Sequence, residues 1–193
     1  NAAAVGGTTP FSVLTETITI AVADVNDAPA LEVAAPRAAT SEDTPLEFAV
    51  ADLSNGELGA TRITDVDRHD PLGGIALTQF MGFGTLAYSL NGDDFLDVGS
   101  VGDGNALLLP ADARLRYAPG GLHGHTMLLS YRAWDTSGGA AGQRADTLTS
   151  GGSTPFSELS DTLTVAVADV NDAPHLQAGQ PQRGTSEDDP LVI

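Results

Sequence analysis

The 193-residue sequence has no cysteine and no lysine, and only 5% of its residues are aromatic. Without cysteine, the chain can form neither a disulfide framework nor a thiolate zinc site. Without lysine, it cannot contain the phosphate-binding motif G-x-x-x-x-G-K-[ST]. No apolar run approaches the roughly 18 residues that predict a membrane-spanning helix. These absences exclude thiol chemistry and this class of nucleotide hydrolase, and they argue against membrane insertion.

Positive charge is also scarce, because eight arginines face 26 acidic residues and the formal net charge is −18. Nucleic acids and anionic membranes attract basic surfaces, so this acidity argues against both as partners. It favours solubility and the binding of divalent cations. The chain also lacks the G-x-S-x-G nucleophile motif, and we expect a protein that is not an enzyme. His123 and His125 could share one face of a strand, but an isolated pair is weak support for a zinc site.

One acidic hexapeptide occurs twice, as residues 24–29 (DVNDAP) and again as residues 169–174, with a spacing of 145 residues. An ungapped alignment of residues 9–48 with residues 154–193 gives 24 identities in 40 positions. Self-similarity at a fixed period is typical of tandem repeats. We therefore expect three parts: the last strand and linker of a preceding repeat (1–27), one complete repeat (28–172) and the start of a following repeat (173–193).

The hydrophobic pattern within the repeat predicts strands rather than helices. Apolar and threonine side chains alternate over residues 14–25, which predicts a half-buried strand, and residues 159–170 repeat the pattern. Turn signals such as Asn91-Gly92 separate further apolar runs. The segment 137–154 is expected to be a long loop, Trp134 a core residue, and Phe11 and Phe156 anchors of a loop on the core. Further strands are predicted near residues 46–51, 60–64, 74–80, 85–90, 95–98, 105–109, 113–118 and 126–134.

Several short motifs follow one another in a fixed order within the repeat. They are T-S-E-D-T-P-L (40–46), I-T-D-V-D (63–67), Y-S-L-N-G-D (88–93), L-L-L-P-A-D (107–112), Y-R-A-W-D (131–135) and T-V-A-V-A-D-V-N-D-A-P (164–174). This ordered set resembles cadherin-like repeats. It is most similar to the cadherin-like tandem modules of very large RTX-type bacterial surface adhesins, which are exported by type I secretion. The resemblance implies an all-β fold, a Greek-key cadherin or immunoglobulin-like β-sandwich in a tandem array, located extracellularly on a bacterial cell surface.

The resemblance also implies a ligand set, because linker carboxylates of that family bind Ca²⁺ between adjacent domains. Glu42, whose copy is Glu187, matches an acidic residue near the first strand, and the family's geometry leaves open which junction it serves. The chain departs from the vertebrate pattern in two ways: Ala28 and Ala173 replace a linker Asn, and the L-D-R-E element has no clean counterpart. The smaller number of acids per junction favours one or two ions rather than three. Matched by position, the other ligands are Asp24, Asn26, Asp27, Asp65, Asp67 and Asp135 at the first junction, and Asp169, Asn171 and Asp172 at the second.

The chemistry of these residues is compatible with that implication. Ca²⁺ takes about six to eight oxygen ligands from carboxylates, carbonyls and water. Asp65 and Asp67 are two residues apart, so an extended backbone places both side chains on one face. The alternative is that these acids are solvated turn residues, since Asp and Asn are common in turns for backbone reasons.

Two hypotheses of different class remain. The first is a calcium-rigidified, structural extender repeat of a surface adhesin or fibre, whose partners are the neighbouring repeats of its own chain. The second is an adhesive module that itself binds carbohydrate or self-associates in a fibre. The low aromatic content counts against carbohydrate, because sugars stack on exposed aromatic rings.

Overall fold

The computed structural model describes residues 5–54, 62–67, 73–121, 123–174, 176, 179, 187 and 188. Their regular structure is almost entirely β, as the sequence pattern predicts. A five-residue helix, α1 (Val50–Ser54), and one 3₁₀ turn (Asp103–Asn105) interrupt the strands. The strands are β1 (Ala30–Glu32), β2 (Arg37–Ser41), β3 (Leu46–Ala49), β4 (Arg62–Thr64), β5 (Gly74–Met81), β6 (Gly84–Ser89), β7 (Leu96–Asp97), β8 (Ala106–Pro110), β9 (Arg114–Pro119), β10 (His125–Trp134), β11 (Arg144–Ala145) and β12 (Phe156–Ala168).

These strands form three sheets. The largest has the order β11-β8-β5-β10-β12-β2, the second has the order β3-β9-β6-β7, and β1 pairs with β4 alone. Neighbouring strands are antiparallel, except that β2 runs parallel to β12 with Ala38 opposite Val165. The antiparallel pair β10–β12 has a register shift between Arg132 and Trp134. The linker at residues 24–29 leads directly into β1.

Alternation along the strands places one apolar face of each larger sheet in a shared core. Along β12, Leu163, Val165 and Val167 are buried, as the period-two pattern predicts. They join one cluster with Leu115 and Tyr117 of β9, which belongs to the four-stranded sheet. Burial of one such leucine or valine contributes about 1.5–3 kcal/mol to folding. The shared core therefore fixes both sheets, and with them the loops at their two ends.

Two details differ from the predicted boundaries. The strand predicted over 46–51 ends at Ala49, where helix α1 begins, because the Asp52 carboxylate accepts the Ala49 N–H at 2.8 Å. Short strands β1 and β2 were not predicted, and β11 lies inside the segment expected to be a loop. Residues 60 and 61 of the predicted strand 60–64 lie outside the described residues.

The strand predicted over residues 14–25 is not formed, so this prediction is wrong for the structure. Residues 11–29 have no regular secondary structure. Ile18, Ile20 and Val22 are at least 80% exposed, whereas their copies in β12 are buried. A strand needs a hydrogen-bonded neighbour, and β12 has two, β10 and β2. The alternation of residues 14–25 therefore encodes a strand whose partner strands the described residues do not supply.

An ion-pair ladder covers the solvent face of the four-stranded sheet. Glu47 on β3 accepts hydrogen bonds from Arg114 at 2.8 Å and from Arg116 at 2.9 Å, both on β9. The Arg116 hydrogen bond, and then that of Arg114, lower the pKa of Glu47 from its ordinary value of 4.5. The Arg116 guanidinium also stacks on Phe95, 3.6 Å from the ring centroid. Among the described residues, no helix has the length and apolarity required to span a bilayer.

Candidate functional site

The first candidate site lies where the linker enters the fold, at Asn26 and Asp27. Three other segments reach this point: the turn after β4, the end of β10 and the loop before β12. The linker meets them because β1 follows it directly and pairs with β4, placing Ala30 opposite Thr64. The short β1–β4 sheet thereby brings the acidic turn at residues 65–67 beside the linker.

Asp65 and Asp67 form the part of this site that follows β4. The Asp67 N–H donates to the Asp65 carboxylate at 2.9 Å, which closes a tight local turn. The Asp67 carboxylate accepts the backbone N–H of Asp27. This contact joins linker and domain across 40 residues of sequence. It also shows that the two aspartates lie at the linker rather than on a remote face.

Asp135 forms the part of the site that follows β10. Its position is fixed by Trp134, which is buried and donates its indole N–H to the Gly138 carbonyl at 2.7 Å. Asp135 is only 4% exposed. Its carboxylate accepts the Ser137 N–H at 2.7 Å and the Asn26 amide at 3.0 Å. A buried carboxylate therefore reaches the linker directly.

The loop before β12 completes the contact with the linker through its backbone. The Gly152 carbonyl accepts the Ala28 N–H at 2.7 Å. The Thr154 carbonyl accepts the Asn26 amide at 3.3 Å. Beside these bonds, an open cleft of about 410 Å³ lies between this loop and the linker. Its lining includes Asp27, Pro29 and Glu158.

The site unites five of the six residues implied for the first junction. Asn26, Asp27, Asp65, Asp67 and Asp135 are connected by the contacts described above, and Asp24 lies on the exposed part of the linker. Within the residues that the structure describes, no three acidic or histidine side chains converge closely enough to hold an ion as they stand. Backbone and amide N–H groups satisfy carboxylate oxygens of Asp67 and Asp135.

The donor types nevertheless suit a hard divalent cation. Carboxylates, an amide and backbone carbonyls are the oxygen ligands that Ca²⁺ takes in proteins. The Asn26 amide nitrogen donates to the Asp135 carboxylate and the Thr154 carbonyl, so this side chain would have to rotate and give up both bonds to present its oxygen to an ion. Carboxylates held about 4 Å apart repel by roughly 1 kcal/mol in water, and by about 4 kcal/mol at an effective dielectric constant of 20. A cation would convert this repulsion into attraction.

A second candidate site lies at the opposite end of the domain, around Glu42 and Asp169. Glu42 follows β2, and its N–H donates to the Ala168 carbonyl at the end of β12. Its Oε1 accepts the Val170 N–H at 2.7 Å. The Asp169 carboxylate accepts the Gly124 N–H at 3.1 Å. The parallel pairing of β2 with β12 brings Glu42 to this end, so Glu42 lies at the second linker and not at the first.

Glu42 also has an unusual environment for a charged side chain. It is only 6% exposed, and its Oε2 atom is buried and has no hydrogen-bond partner among the described residues. Leaving a buried polar atom unsatisfied costs about 1–3 kcal/mol, and more for a charged group. A carboxylate oxygen of this kind fits a coordinating role for a cation at the outgoing linker.

The other residues implied for the second junction are exposed. The Asn171 amide donates to the Asp172 carbonyl at 3.3 Å, which repeats the bond from Asn26 to the Asp27 carbonyl at 3.2 Å. The two linkers thus share a local geometry. Glu187, the copy of Glu42, is exposed.

Sequence reasoning missed one residue that shapes the linker region. Asp161, in β12, is 3% exposed and accepts the backbone N–H groups of Ala34 at 2.9 Å and Ala35 at 3.1 Å. Ala35 has a positive φ of 50°. Asp161 therefore holds the bend between β1 and β2. An acid at an inward position of an alternating strand is the signal that could have identified it.

The aromatic residues mostly serve the core. Trp134 and Phe156 pack together in a second apolar cluster, as predicted, whereas Phe11 is exposed. His125 packs edge-on against Phe83, and its Nε2 lies 2.7 Å from the Tyr117 hydroxyl. His125 is therefore part of an aromatic cluster, and His123 is exposed.

Comparison with protein-family models, with curated proteins and with solved structures gave no match for this chain.

Proposed function

We propose that this chain is a calcium-rigidified structural repeat, which acts as an extender in a large bacterial surface adhesin or fibre. The proposal assigns residues 28–172 to one complete repeat with a Greek-key cadherin or immunoglobulin-like sandwich fold, extracellular and in a tandem array. Its partners are the neighbouring repeats, and its ions lie at the linkers. The function is mechanical: filled linkers hold a distal binding domain away from the cell.

The observation that supports this proposal most strongly is the contact of one linker with two acids from distant sequence positions, Asp67 and Asp135. The fold brings Asp65, Asp67 and Asp135 to a hexapeptide that recurs after 145 residues. A second acidic site at the opposite end contains the unpartnered oxygen of Glu42. An extender repeat requires this arrangement, with one candidate cation site at each end.

The proposal is tested by thermal unfolding in excess chelator and in millimolar Ca²⁺. A ligand that binds only the folded state raises stability by RT ln(1 + [L]/Kd), about 2.7 kcal/mol at 100 times Kd. For a domain of this size, each kcal/mol corresponds to about 2–4 °C or more in Tm. Asp67→Asn should reduce the calcium-dependent shift, whereas Asp112→Asn, at an exposed turn, should leave it intact. Equal melting temperatures with and without calcium would refute the proposal.

A specific observation also favours self-association as an alternative function. Leu14, Ile18, Ile20 and Val22 are each at least 80% exposed and would form one apolar row in a strand, and exposed apolar surface commonly marks an interaction site. In the extender proposal, this row is the last strand of a preceding repeat. In the alternative, the row pairs with another copy. Sedimentation at several concentrations separates the two: a concentration-dependent mass that Ile20→Asp abolishes would favour self-association.

A further inference from the structure

One tight turn occurs twice in the chain with the same hydrogen bonds. In the first copy, the Gly6 N–H donates to the Phe11 carbonyl at 2.8 Å, and the Thr9 N–H donates to the Gly6 carbonyl at 3.1 Å. In the second copy, the Gly151 N–H donates to the Phe156 carbonyl at 2.8 Å, and the Thr154 N–H donates to the Gly151 carbonyl at 3.1 Å. The sequences G-G-T-T-P-F and G-G-S-T-P-F therefore encode one conformation.

The conformation depends on glycine and threonine at fixed positions. Gly6 and Gly151 have φ values of 79° and 76°, which an L side chain rarely adopts. The threonine hydroxyl crosses the turn in both copies. It donates to the Gly6 carbonyl at 2.7 Å in the first copy and to the Gly151 carbonyl at 2.9 Å in the second.

The turn forms without help from a core. In the first copy, the chain that follows it is exposed, with Leu14 83% exposed. In the second copy, Phe156 is buried beside Trp134. Because the same bonds appear in both environments, local sequence sets the turn, and the turn can be in place before the linker docks.

In the second copy, the outward carbonyls of this turn bind the linker. The Gly152 carbonyl accepts the Ala28 N–H, the Thr154 carbonyl accepts the Asn26 amide, and the Pro155 carbonyl accepts the Asp135 N–H at 3.1 Å. The turn therefore contacts both the linker and the buried acid of the first site. Neither of its bonds to the linker involves a carboxylate.

We infer that the turn at residues 151–156 is a preformed clamp that orients the linker without any cation. Thr154 and Gly151 are positioning residues, since they act through the linker and do not themselves bind an ion. The inference concerns the same junction as the proposed function. It divides that junction into a clamp held by the Ala28–Gly152 backbone bond with or without an ion, and a cation site that the clamp prepares. Preorganisation of this kind strengthens binding by reducing the ordering cost.

The clamp can be tested by distance measurement between two spin labels. The chain has no native cysteine, so Val25→Cys on the linker and Thr126→Cys at the far end of β10 give specific labelling. Pulsed dipolar spectroscopy of the full chain in excess chelator should give one narrow distance distribution. Thr154→Val, which removes the crossing hydroxyl, should broaden it. Thr9→Val makes the same change in the first turn and should leave it narrow.

A second variant addresses the linker side of the clamp. Ala28→Pro removes the N–H that donates to Gly152 and leaves the turn untouched, so it should also broaden the distribution, even if Thr154→Val were to unfold the domain. Circular dichroism checks that each variant is folded. Thr154→Val should also weaken the apparent calcium affinity roughly tenfold, because ordering about one further residue then falls to the ion.

The possible outcomes of these measurements distinguish the clamp hypothesis from the proposed calcium-dependent function. A wild-type distribution that is broad in chelator and narrows only with calcium would overturn the clamp and leave the proposed function standing. A distribution that stays narrow in both Thr154→Val and Ala28→Pro would also overturn it. A narrow, clamp-dependent distribution in a protein whose melting temperature calcium does not raise would support the clamp and refute the proposed function.

Discussion

Replacing Glu42 by Gln should change stability in opposite directions with and without calcium. Glu42 accepts the Val170 N–H through Oε1, and its other carboxylate oxygen is buried with no partner in the part of the chain that the structure describes. Gln retains an oxygen for the first bond and is nearly the same size. It replaces an unpartnered charged oxygen with a neutral amide group. The amide N–H donors that replace this oxygen also lack partners, but an unpaired neutral group costs less than an unpaired charge.

The magnitude follows from the cost of unsatisfied buried groups. Such a group costs about 1–3 kcal/mol, and more when it is charged. In chelator, Glu42→Gln should therefore raise the free energy of unfolding by about 1 kcal/mol. In calcium at 100 times Kd, the wild-type protein gains about 2.7 kcal/mol. The variant lacks one ligand charge, and a site weakened tenfold gains about 1.4 kcal/mol under the same conditions. Its total of about 2.4 kcal/mol then lies below that of the wild type, so the order of stability reverses.

Urea unfolding measures both values, with the single tryptophan as the fluorescent probe. Trp134 is buried in the folded state, so its emission should report global unfolding. Asp43→Asn, at the exposed neighbouring position, removes the same charge and should alter neither stability nor the calcium effect appreciably. A Glu42→Gln protein that is less stable than wild type in chelator, with an unchanged calcium gain, would refute the reasoning.

Three further predictions use the repeat and the ion-pair ladder. Leu163→Ala in β12 should lower the free energy of unfolding by about 2–5 kcal/mol. Ile18→Ala, at the equivalent exposed position of the first copy, should change it by less than about 0.5 kcal/mol. Chemical denaturation measures both values, and equal effects would contradict the assigned burial. Ser157→Ala should lower the free energy of unfolding by about 1–3 kcal/mol, because the Ser157 hydroxyl in β12 accepts the N–H of Ala133 in β10 at 2.9 Å. Ser12→Ala, the counterpart in the first copy, should leave this free energy nearly unchanged in the same assay. The lowered pKa of Glu47 stabilises the folded state above the ordinary value of 4.5, and this contribution should disappear as the pH falls through the lower folded-state pKa. Because the ladder is exposed, Glu47→Gln should remove at most about 1 kcal/mol at pH 7. The variant should also show a flatter loss of stability at acidic pH than the wild type, and an unchanged acidic region of the pH–stability curve would contradict this prediction.

Local alternation predicted most of the strands correctly, because it records which side chains face the core. It predicted β12 through Leu163, Val165 and Val167, and the same pattern was misleading at residues 14–25. The two segments are identical at eight of 12 positions and conservatively replaced at the other four, so their difference lies mainly in their neighbours. Strand formation depends on a non-local partner, which a local pattern does not contain.

The candidate sites were predictable to different degrees. Repetition identified Asn26 and Asp27, and the motif order identified Asp67 and Asp135 as residues to expect beside them. The linker that Glu42 contacts could not be assigned from local sequence, because it depends on the parallel pairing of β2 with β12. The clamp at residues 151–156 was not predicted either, since it acts through backbone carbonyls that every residue has.

Anomalous diffraction from crystals grown in millimolar calcium tests the central claim most directly. The account predicts a calcium peak at the first linker, within about 2.3–2.6 Å of carboxylate oxygens of Asp67 and Asp135, and loss of that peak after soaking in chelator. Well-ordered density for the linker and both acids, with no such peak in calcium, would contradict it.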